Sequence, residues 1–118
     1  MIPKFACAAI LLSLSFYAGV QNGKQAPKDE SRIEIENDRV VVHRNFRLPH
    51  AFTPMHSHRD GVVIYLTDVH ERSTAPDGTS KEVSHRAGEV VWAPAREHAL
   101  QNLENTKIEV IEVELKER

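Results

Sequence analysis

Two histidines separated by one residue lie in the stretch PMHSHRDGVVIYL, residues 54–66, just before a run of β-branched residues. If this segment is a strand, His56 and His58 project from one face, with their Cβ atoms about 6–7 Å apart. At that spacing two imidazoles can converge on one divalent ion, each nitrogen about 2.0–2.2 Å from it. The two rings can equally be solvated or hydrogen-bonded to backbone. Which of these alternatives holds depends on whether the rest of the chain provides a third metal ligand.

Cysteine chemistry is excluded from most of the chain. The only cysteine, Cys7, falls inside an apolar N-terminal run, so the domain that follows it contains no thiol. Disulfide bonds, thiolate metal sites and a cysteine nucleophile are therefore ruled out in that domain. Its ligands and catalytic groups have to be histidine, carboxylate, hydroxyl or backbone.

A second segment, GEVVWAPAREHALQN, spans residues 88–102, with Pro94 six residues after its first glycine, then His98 and Asn102. Together with His56 and His58, it resembles the two signature motifs of the cupin superfamily. Those motifs are an HxH followed three or four residues later by Glu, and a later G-x5-P with a His and an Asn behind it. The resemblance covers residues 40–115, and it implies that His56, His58 and His98 are metal ligands.

The chain departs from the cupin pattern where that pattern has a glutamate. Positions 62 and 63 are both valine, and Arg96 and His50 stand where the motifs have glycine. A site of three neutral imidazoles keeps the full charge of a divalent ion and favours anionic bidentate ligands such as diketonates, catecholates and hydroxy acids. Asp60 either replaces the missing carboxylate or is a solvated aspartate or a cap in the turn RDG.

The resemblance implies a metal-dependent function with a small chelating ligand. In similar cupins, three-histidine sites hold Fe(II) and use dioxygen, which favours a dioxygenase-type or other metal-dependent enzyme. The ion expected is Fe, Ni, Mn or Zn, and no catalytic residue beyond the ligands is evident. One alternative is a non-catalytic cupin that binds a small molecule or a metal, and another is an interaction module in which the histidines are incidental.

Strand alternation suggests which side chains line the cavity. If position 62 faces the interior, Val62 and Ile64 line an apolar cavity near the metal, and Tyr65 faces the other way. Trp92, two residues before Pro94, either packs in the core or lines the same cavity.

Polar residues near His98 have two interpretations each. Arg96 either binds a substrate carboxylate through its planar fork or is solvated. Asn102 either hydrogen-bonds a ligand histidine or closes a turn. The remaining histidines have no partner at a useful spacing and are expected at the surface: His43, His50, His70 and His85.

The elements that carry these residues have the periodicity of strands. From residue 32 onward no 3.6-residue stripe is longer than two turns, and PDG at residues 76–78 predicts a tight hairpin. We expect seven or eight short strands in an all-β jelly roll, which for a cupin is a double-stranded β-helix barrel. The last run, residues 107–115, alternates charged and apolar residues, which predicts a strand with one solvent-exposed face near the edge of a sheet. Candidates for the core are Val40, Val42, Val63, Tyr65, Val91, Ile108, Val110 and Ile111.

The N-terminus differs in composition from the rest. Residues 1–20 contain one basic residue followed by 16 residues without charge, which predicts a signal peptide or an N-terminal anchor. Residues 21–31 form a polar linker, and residues 32–118 form the barrel. The chain is therefore expected to be exported, to the periplasm or outside the cell, and to contact a membrane only through an uncleaved leader.

Size and charge limit the partners. The 118 residues, 41% of them hydrophobic, suit one domain, and a net charge of −2 gives no reason to expect nucleic acid. The expected partner is a small-molecule ligand. A core of this size is small, so a homodimer formed through a strand or a sheet face is also expected.

Overall fold

The computed structural model describes residues 30–117, and within that range all the regular structure is β. The predicted leader, residues 1–20, and most of the predicted linker lie outside the described residues. The first strand begins at Glu30, two residues before the predicted start of the barrel. None of the described residues belongs to a helix capable of crossing a membrane.

The nine strands are β1 (Glu30–Glu36), β2 (Val40–Arg47), β3 (Phe52–His58), β4 (Gly61–Tyr65), β5 (Val69–Thr74), β6 (Ser80–His85), β7 (Val90–Ala93), β8 (Arg96–Asn102) and β9 (Ile108–Leu115).

The strands form two antiparallel sheets. The larger sheet has the order β1-β2-β9-β4-β7 and the smaller one the order β3-β8-β5-β6. The all-β jelly roll is therefore confirmed, with nine strands instead of seven or eight. The HxH segment forms a strand of its own, and the run 61–72 is broken at residues 66–68 into β4 and β5. The expectation that residues 107–115 lie near an edge is wrong, because β9 is the central strand of the larger sheet.

The predicted hairpin at residues 76–78 connects β5 and β6. Gly78 adopts a φ of 89°, which is the left-handed region that glycine enters at little cost. Asp77 accepts hydrogen bonds from the backbone N–H and the hydroxyl of Thr79, at 3.0 and 2.7 Å. Local turn chemistry therefore fixes the register of this pair of strands.

The core lies between the two sheets, and several of its residues also line the cavity that contains the histidines. Its apolar side chains come mainly from β4 and β9, where alternate residues point inward. Val40, Val42 and Ile111, which were also expected in the core, are only half-buried. Val42 and Ile111 lie in cross-strand rows with Val62 and Ile64, on the opposite face of the sheet. The buried residues that form the core cluster are Val63, Tyr65, Val69, Ala93, Ile108 and Val110.

Candidate metal centre

Three histidines from two neighbouring strands meet at one end of the barrel. His56 and His58 lie on β3, and His98 lies on β8 directly opposite His56 in the antiparallel register. The ring centroids are 4.6–5.1 Å apart, and one nitrogen from each ring lies within 4.8 Å of the others. The structure thus brings together the three residues that the sequence motifs single out, and all three are half-buried.

Hydrogen bonds orient two of these rings. His56 Nδ1 lies 2.7 Å from the carbonyl oxygen of Pro54, which can only accept, so Nδ1 carries the hydrogen. His58 Nδ1 lies 2.7 Å from Glu114 Oε1, and a carboxylate likewise accepts. Both rings therefore keep a free lone pair on Nε2, the nitrogen that can coordinate a metal. Fixing a ligand imidazole through its other nitrogen is the usual arrangement in metal sites.

The third ring supplies the test of whether a metal fits. His98 Nε2 is buried and has no hydrogen-bond partner among the described residues. A buried polar atom normally has a partner, and leaving it without one is costly. A divalent ion held by His56, His58 and His98 would satisfy that nitrogen, and three imidazoles form a donor set that suits first-row metals.

The protonation states also suit coordination. Burial lowers the pKa of the His98 imidazole to about 3, and the nearby His56 and Arg96 act in the same direction. Burial also lowers the pKa of His58, although Glu112 and Glu114 oppose that change. Both rings are therefore neutral near pH 7, the form in which imidazole binds a metal.

Two carboxylates from the central strand β9 adjoin the histidines. Glu114 contacts His58 and also lies 3.4 Å from His43 Nε2. Glu112 is buried, with one oxygen 3.3 Å from His58 Nδ1 and 2.5 Å from the guanidinium of Arg96. His58, Glu112 and Glu114 thus form a second group of potential ligands that shares one histidine with the first. The contact with Arg96 neutralises Glu112 and opposes a cation at that position.

The site opens into a cavity of about 400 Å3 between the sheets. Deeper in the cavity, Arg47 and Glu71 form a buried ion pair, with Nε 2.5 Å from Oε2. Beside them the ring of Tyr65 stacks on His85, with centroids 4.0 Å apart and planes 12° apart. Burial raises the pKa of Tyr65 to about 12, so its hydroxyl stays protonated at neutral pH. The cavity therefore has histidines at one end and polar groups at the other.

Comparison with solved structures identifies the architecture. A cupin domain from Bordetella pertussis Tohama I matches with a TM-score of 0.73 and 28% identity, over 80% of this chain and 100% of that chain. The chain is a single domain with the cupin fold.

Two further solved structures match at lower identity. A cupin superfamily protein from Desulfitobacterium hafniense is 14% identical, with a TM-score of 0.59, over 80% of this chain and 84% of that one. The polyketide cyclase RemF from Streptomyces resistomycificus is 24% identical, with a TM-score of 0.57, over 76% of this chain and 66% of its own. These two likenesses establish the fold alone. No family model and no curated protein matches the chain.

Some residues expected in the pocket of this cupin lie elsewhere. Val62, Ile64 and Trp92 are on the outer face of the larger sheet, and Trp92 is 59% exposed. The expectation that these side chains line the cavity was wrong, because the odd-numbered residues of β4 face inward and the even-numbered ones face outward. Val63 and Tyr65 point into the cavity. Periodicity of 2 fixes which residues share a face but not which face is buried.

Arg96, Asn102 and Asp60 have defined partners. Arg96 lines the cavity, paired with Glu112 rather than solvated. Asn102 is fully buried, and its amide donates to backbone carbonyls, at 2.8 Å for Thr106 and 3.1 Å for Leu48. It closes a turn and has no hydrogen bond to a histidine. Asp60 accepts from the backbone N–H of Ala95 at 2.6 Å, so it caps a turn rather than replacing the missing glutamate.

Several residues that line the cavity were not expected there from the sequence. His43 and His85, expected at the surface, line the cavity, as do Arg47 and Glu71. Glu112 and Glu114 were also missed, although β9 contained a signal: both share strand parity with Ile108 and Val110. Once those two are assigned to the core, the glutamates must point inward as well. For His43 and His85 the sequence offers no comparable signal.

Proposed function

We propose that this cupin binds a divalent metal ion through His56, His58 and His98 and acts on a small chelating ligand in the adjoining cavity. The observation that carries the proposal is the convergence of three imidazoles, one of which has a buried nitrogen without a partner among the described residues. Such an ion supplies Lewis-acid chemistry, polarising a chelating oxygen and lowering its pKa. The reaction class we favour is that of a dioxygenase or another metal-dependent cupin enzyme.

The charges around the site define the ligand. Glu112 is neutralised by Arg96 and Glu71 by Arg47, which leaves Glu114 as the uncompensated carboxylate next to His58. The two positive charges of an ion at the histidines are then offset by one negative charge from the protein. A singly charged bidentate ligand, such as a diketonate or a hydroxy acid, would complete the neutralisation.

The cavity has both apolar walls and polar groups that can contact a bound ligand. Val63, Leu100 and Val110 form apolar walls that exclude water around the bound ligand. The Tyr65 hydroxyl, which remains protonated, can donate a hydrogen bond to an oxygen at the deep end. Glu114 holds His58 in one orientation through Nδ1. The existence of a polyketide cyclase with this fold is compatible with an enzyme acting on an oxygen-rich substrate.

A non-catalytic binding function is the second candidate, and one observation favours it. The three buried or half-buried carboxylates that line the cavity are engaged: Glu71 with Arg47, Glu112 with Arg96 and Glu114 with His58. Each of them already contacts a side chain of the protein in the arrangement observed, so no unpartnered buried carboxylate faces a ligand as a general base. In that case the protein would bind a metal chelate without transforming it.

Metal content and oxygen consumption test the proposal. We expect protein purified without a histidine tag to contain one Fe, Ni, Mn or Zn per chain, and His56→Ala and His98→Ala to lose it. His50→Ala is the matched control, because His50 is exposed and bonded to Asn105 away from the site. A chain that takes up none of these ions, or variants that keep them, would disprove the metal site.

Activity is tested separately on the metal-loaded protein. Oxygen consumption with diketones, catechols and thiols would support the dioxygenase function. Binding of these compounds without turnover would support the second candidate.

A further inference from the structure

Arg96 stands beside the three histidines on the inner face of the smaller sheet. In the register of β3 and β8 it lies directly opposite His58, just as His98 lies opposite His56, so the four side chains form two neighbouring rows. All four line the cavity. The cupin motif has glycine at position 96, so this chain places a positively charged side chain next to the proposed metal ligands where the motif has none.

The guanidinium of Arg96 has unused hydrogen-bond donors. Its Nη2 donates to Glu112 Oε1 at 2.5 Å and its Nη1 to the carbonyl oxygen of Pro94 at a long 3.4 Å, and Nε has no hydrogen bond within residues 30–117. The side chain is 26% exposed. A guanidinium carries five N–H donors, so most of those of Arg96 remain available to a bound ligand.

The other arginine that lines the cavity is arranged differently. Two nitrogens of Arg47 face the two oxygens of Glu71, Nε at 2.5 Å and Nη2 at 3.2 Å, and these side chains are only 9% and 4% exposed. That pair is bidentate and closed to solvent. Arg96 instead holds Glu112 through one nitrogen, so it can keep this contact and still bind a second anion.

The positive charge of Arg96 favours an anion between it and a bound metal ion. Burial lowers the pKa of His58 and of His98, and the Arg96 charge acts in the same direction on both rings, as expected for a guanidinium close to them. An ion at the histidines adds two further positive charges to this region, and like charges at short range repel. A ligand that presents one carboxylate to both the ion and Arg96 reduces that repulsion.

We propose that Arg96 makes the site selective for 2-hydroxy or 2-oxo carboxylates, an inference that rests on the proposed metal function. Such a ligand chelates an ion through one carboxylate oxygen and the oxygen on the neighbouring carbon. Its second carboxylate oxygen is left to accept hydrogen bonds from the planar guanidinium. A diketonate or a catecholate uses both of its oxygens on the ion and has none left for Arg96. Arg96 therefore narrows the set of chelating ligands that the histidines alone would accept.

Ligand binding to the metal-loaded protein tests this selectivity without any turnover. The full chain and its variants are loaded with Zn2+, their metal content is measured, and lactate and acetylacetone are titrated calorimetrically. Arg96→Gln should weaken lactate binding about 10–100-fold, the loss expected for a charge-assisted hydrogen bond, and change acetylacetone affinity less than about 3-fold. Arg96→Lys keeps the charge without the planar fork, so its lactate affinity should lie between those of the wild type and Arg96→Gln.

Two further variants separate ligand binding from folding. Arg96→Gln leaves the buried Glu112 without its cation, whereas the double variant Arg96→Gln/Glu112→Gln removes both charges and should show the same loss of lactate affinity. Arg72→Gln is the matched control, because Arg72 is exposed on β5, contacts Gln101 and does not line the cavity. Its lactate affinity should equal that of the wild type.

The outcomes distinguish this inference from the metal site itself. Equal losses for lactate and acetylacetone, an unchanged lactate affinity in Arg96→Gln, or a loaded wild-type chain that binds only acetylacetone would overturn the selectivity and leave the metal site in place. A wild-type chain that takes up no Zn2+ would overturn the proposed function, and the selectivity with it.

Discussion

Val63 of β4 and Glu112 of β9 are direct cross-strand partners on the inner face of the larger sheet. Position 63 is one of the two at which the cupin motif carries its glutamate, so the carboxylate missing from β4 is present one strand to the side. There it lies against Nδ1 of His58 and the guanidinium of Arg96, outside the group formed by the three histidines. The carboxylate of Glu112 therefore contacts His58, a proposed metal ligand, and is not itself one of the three proposed ligands.

An exchange of the two side chains tests this relationship. Val63→Glu alone should reduce the free energy of unfolding by about 2–4 kcal/mol, because a second carboxylate enters a buried site beside Glu112. Combining it with Glu112→Val should recover most of that loss, since one carboxylate is left between the strands. Urea denaturation of the four proteins forms a double-mutant cycle. Additive effects of the two substitutions would show that the positions are not coupled.

Glu114 is expected to control metal affinity through His58. Glu114→Gln keeps the shape of the side chain but removes the charge that holds His58 Nδ1–H, so affinity should fall about 10–100-fold. Isothermal titration with Zn2+ or Ni2+ measures the change. Glu109→Gln is the control, because Glu109 is on the same strand but pairs with Arg44 on the other face. Equal affinities for the two variants would argue against a role for Glu114.

Asn102 is expected to stabilise the fold and not the metal site. Asn102→Ala removes a buried amide and leaves the carbonyls of Leu48 and Thr106 without their donor, which should cost about 2–4 kcal/mol of unfolding free energy. Metal affinity in the folded variant should be unchanged. Chemical denaturation and metal titration of the same preparation separate the effects. Loss of affinity without loss of stability would instead support the hydrogen bond to a ligand histidine that its position after His98 suggested.

Gly61 allows β4 and β9 to approach each other. A Cβ atom at this position would lie 1.9 Å from the carbonyl oxygen of Val113, so Gly61→Ala must push the strands apart. We expect a loss of more than about 3 kcal/mol in thermal or chemical denaturation. Gly78→Ala, at a turn with open space around it, should cost only about 1–2 kcal/mol from its left-handed φ. A Gly61→Ala protein as stable as the Gly78→Ala protein would contradict the close approach.

The sequence predicted the class of fold and the three histidines because both depend on local patterns. Alternation marks strands, and the spacing of His56 and His58 already places them on one face. The opposite position of His98 could be inferred only through the cupin resemblance, since nothing local pairs β3 with β8. The fold class and the cluster of three histidines are therefore the two expectations that agree with the structure.

The chemistry around the histidines could not be predicted, because it depends on pairing between distant strands. Arg96 and Glu112 are 16 residues apart, and His58 and Glu114 are 56 apart. The phase of β4 is a further example: Val62 and Val63 are identical in type, so only the packing of the larger sheet against the smaller one determines that Val63 is inside. Trp92 was misplaced by the same error, since it shares a row with Val62.

The position of β9 has a consequence for how the protein is made. The last strand of the described residues stands in the middle of the larger sheet, between β2 and β4. Before residues 108–115 leave the ribosome, the β1-β2 and β4-β7 pairs have no strand to join them. Closure of the barrel therefore requires β9 and depends on contacts between residues far apart in the sequence. Without residues 108–115 the larger sheet would be left as two unjoined pairs of strands, and the cavity would lose Glu112 and Glu114.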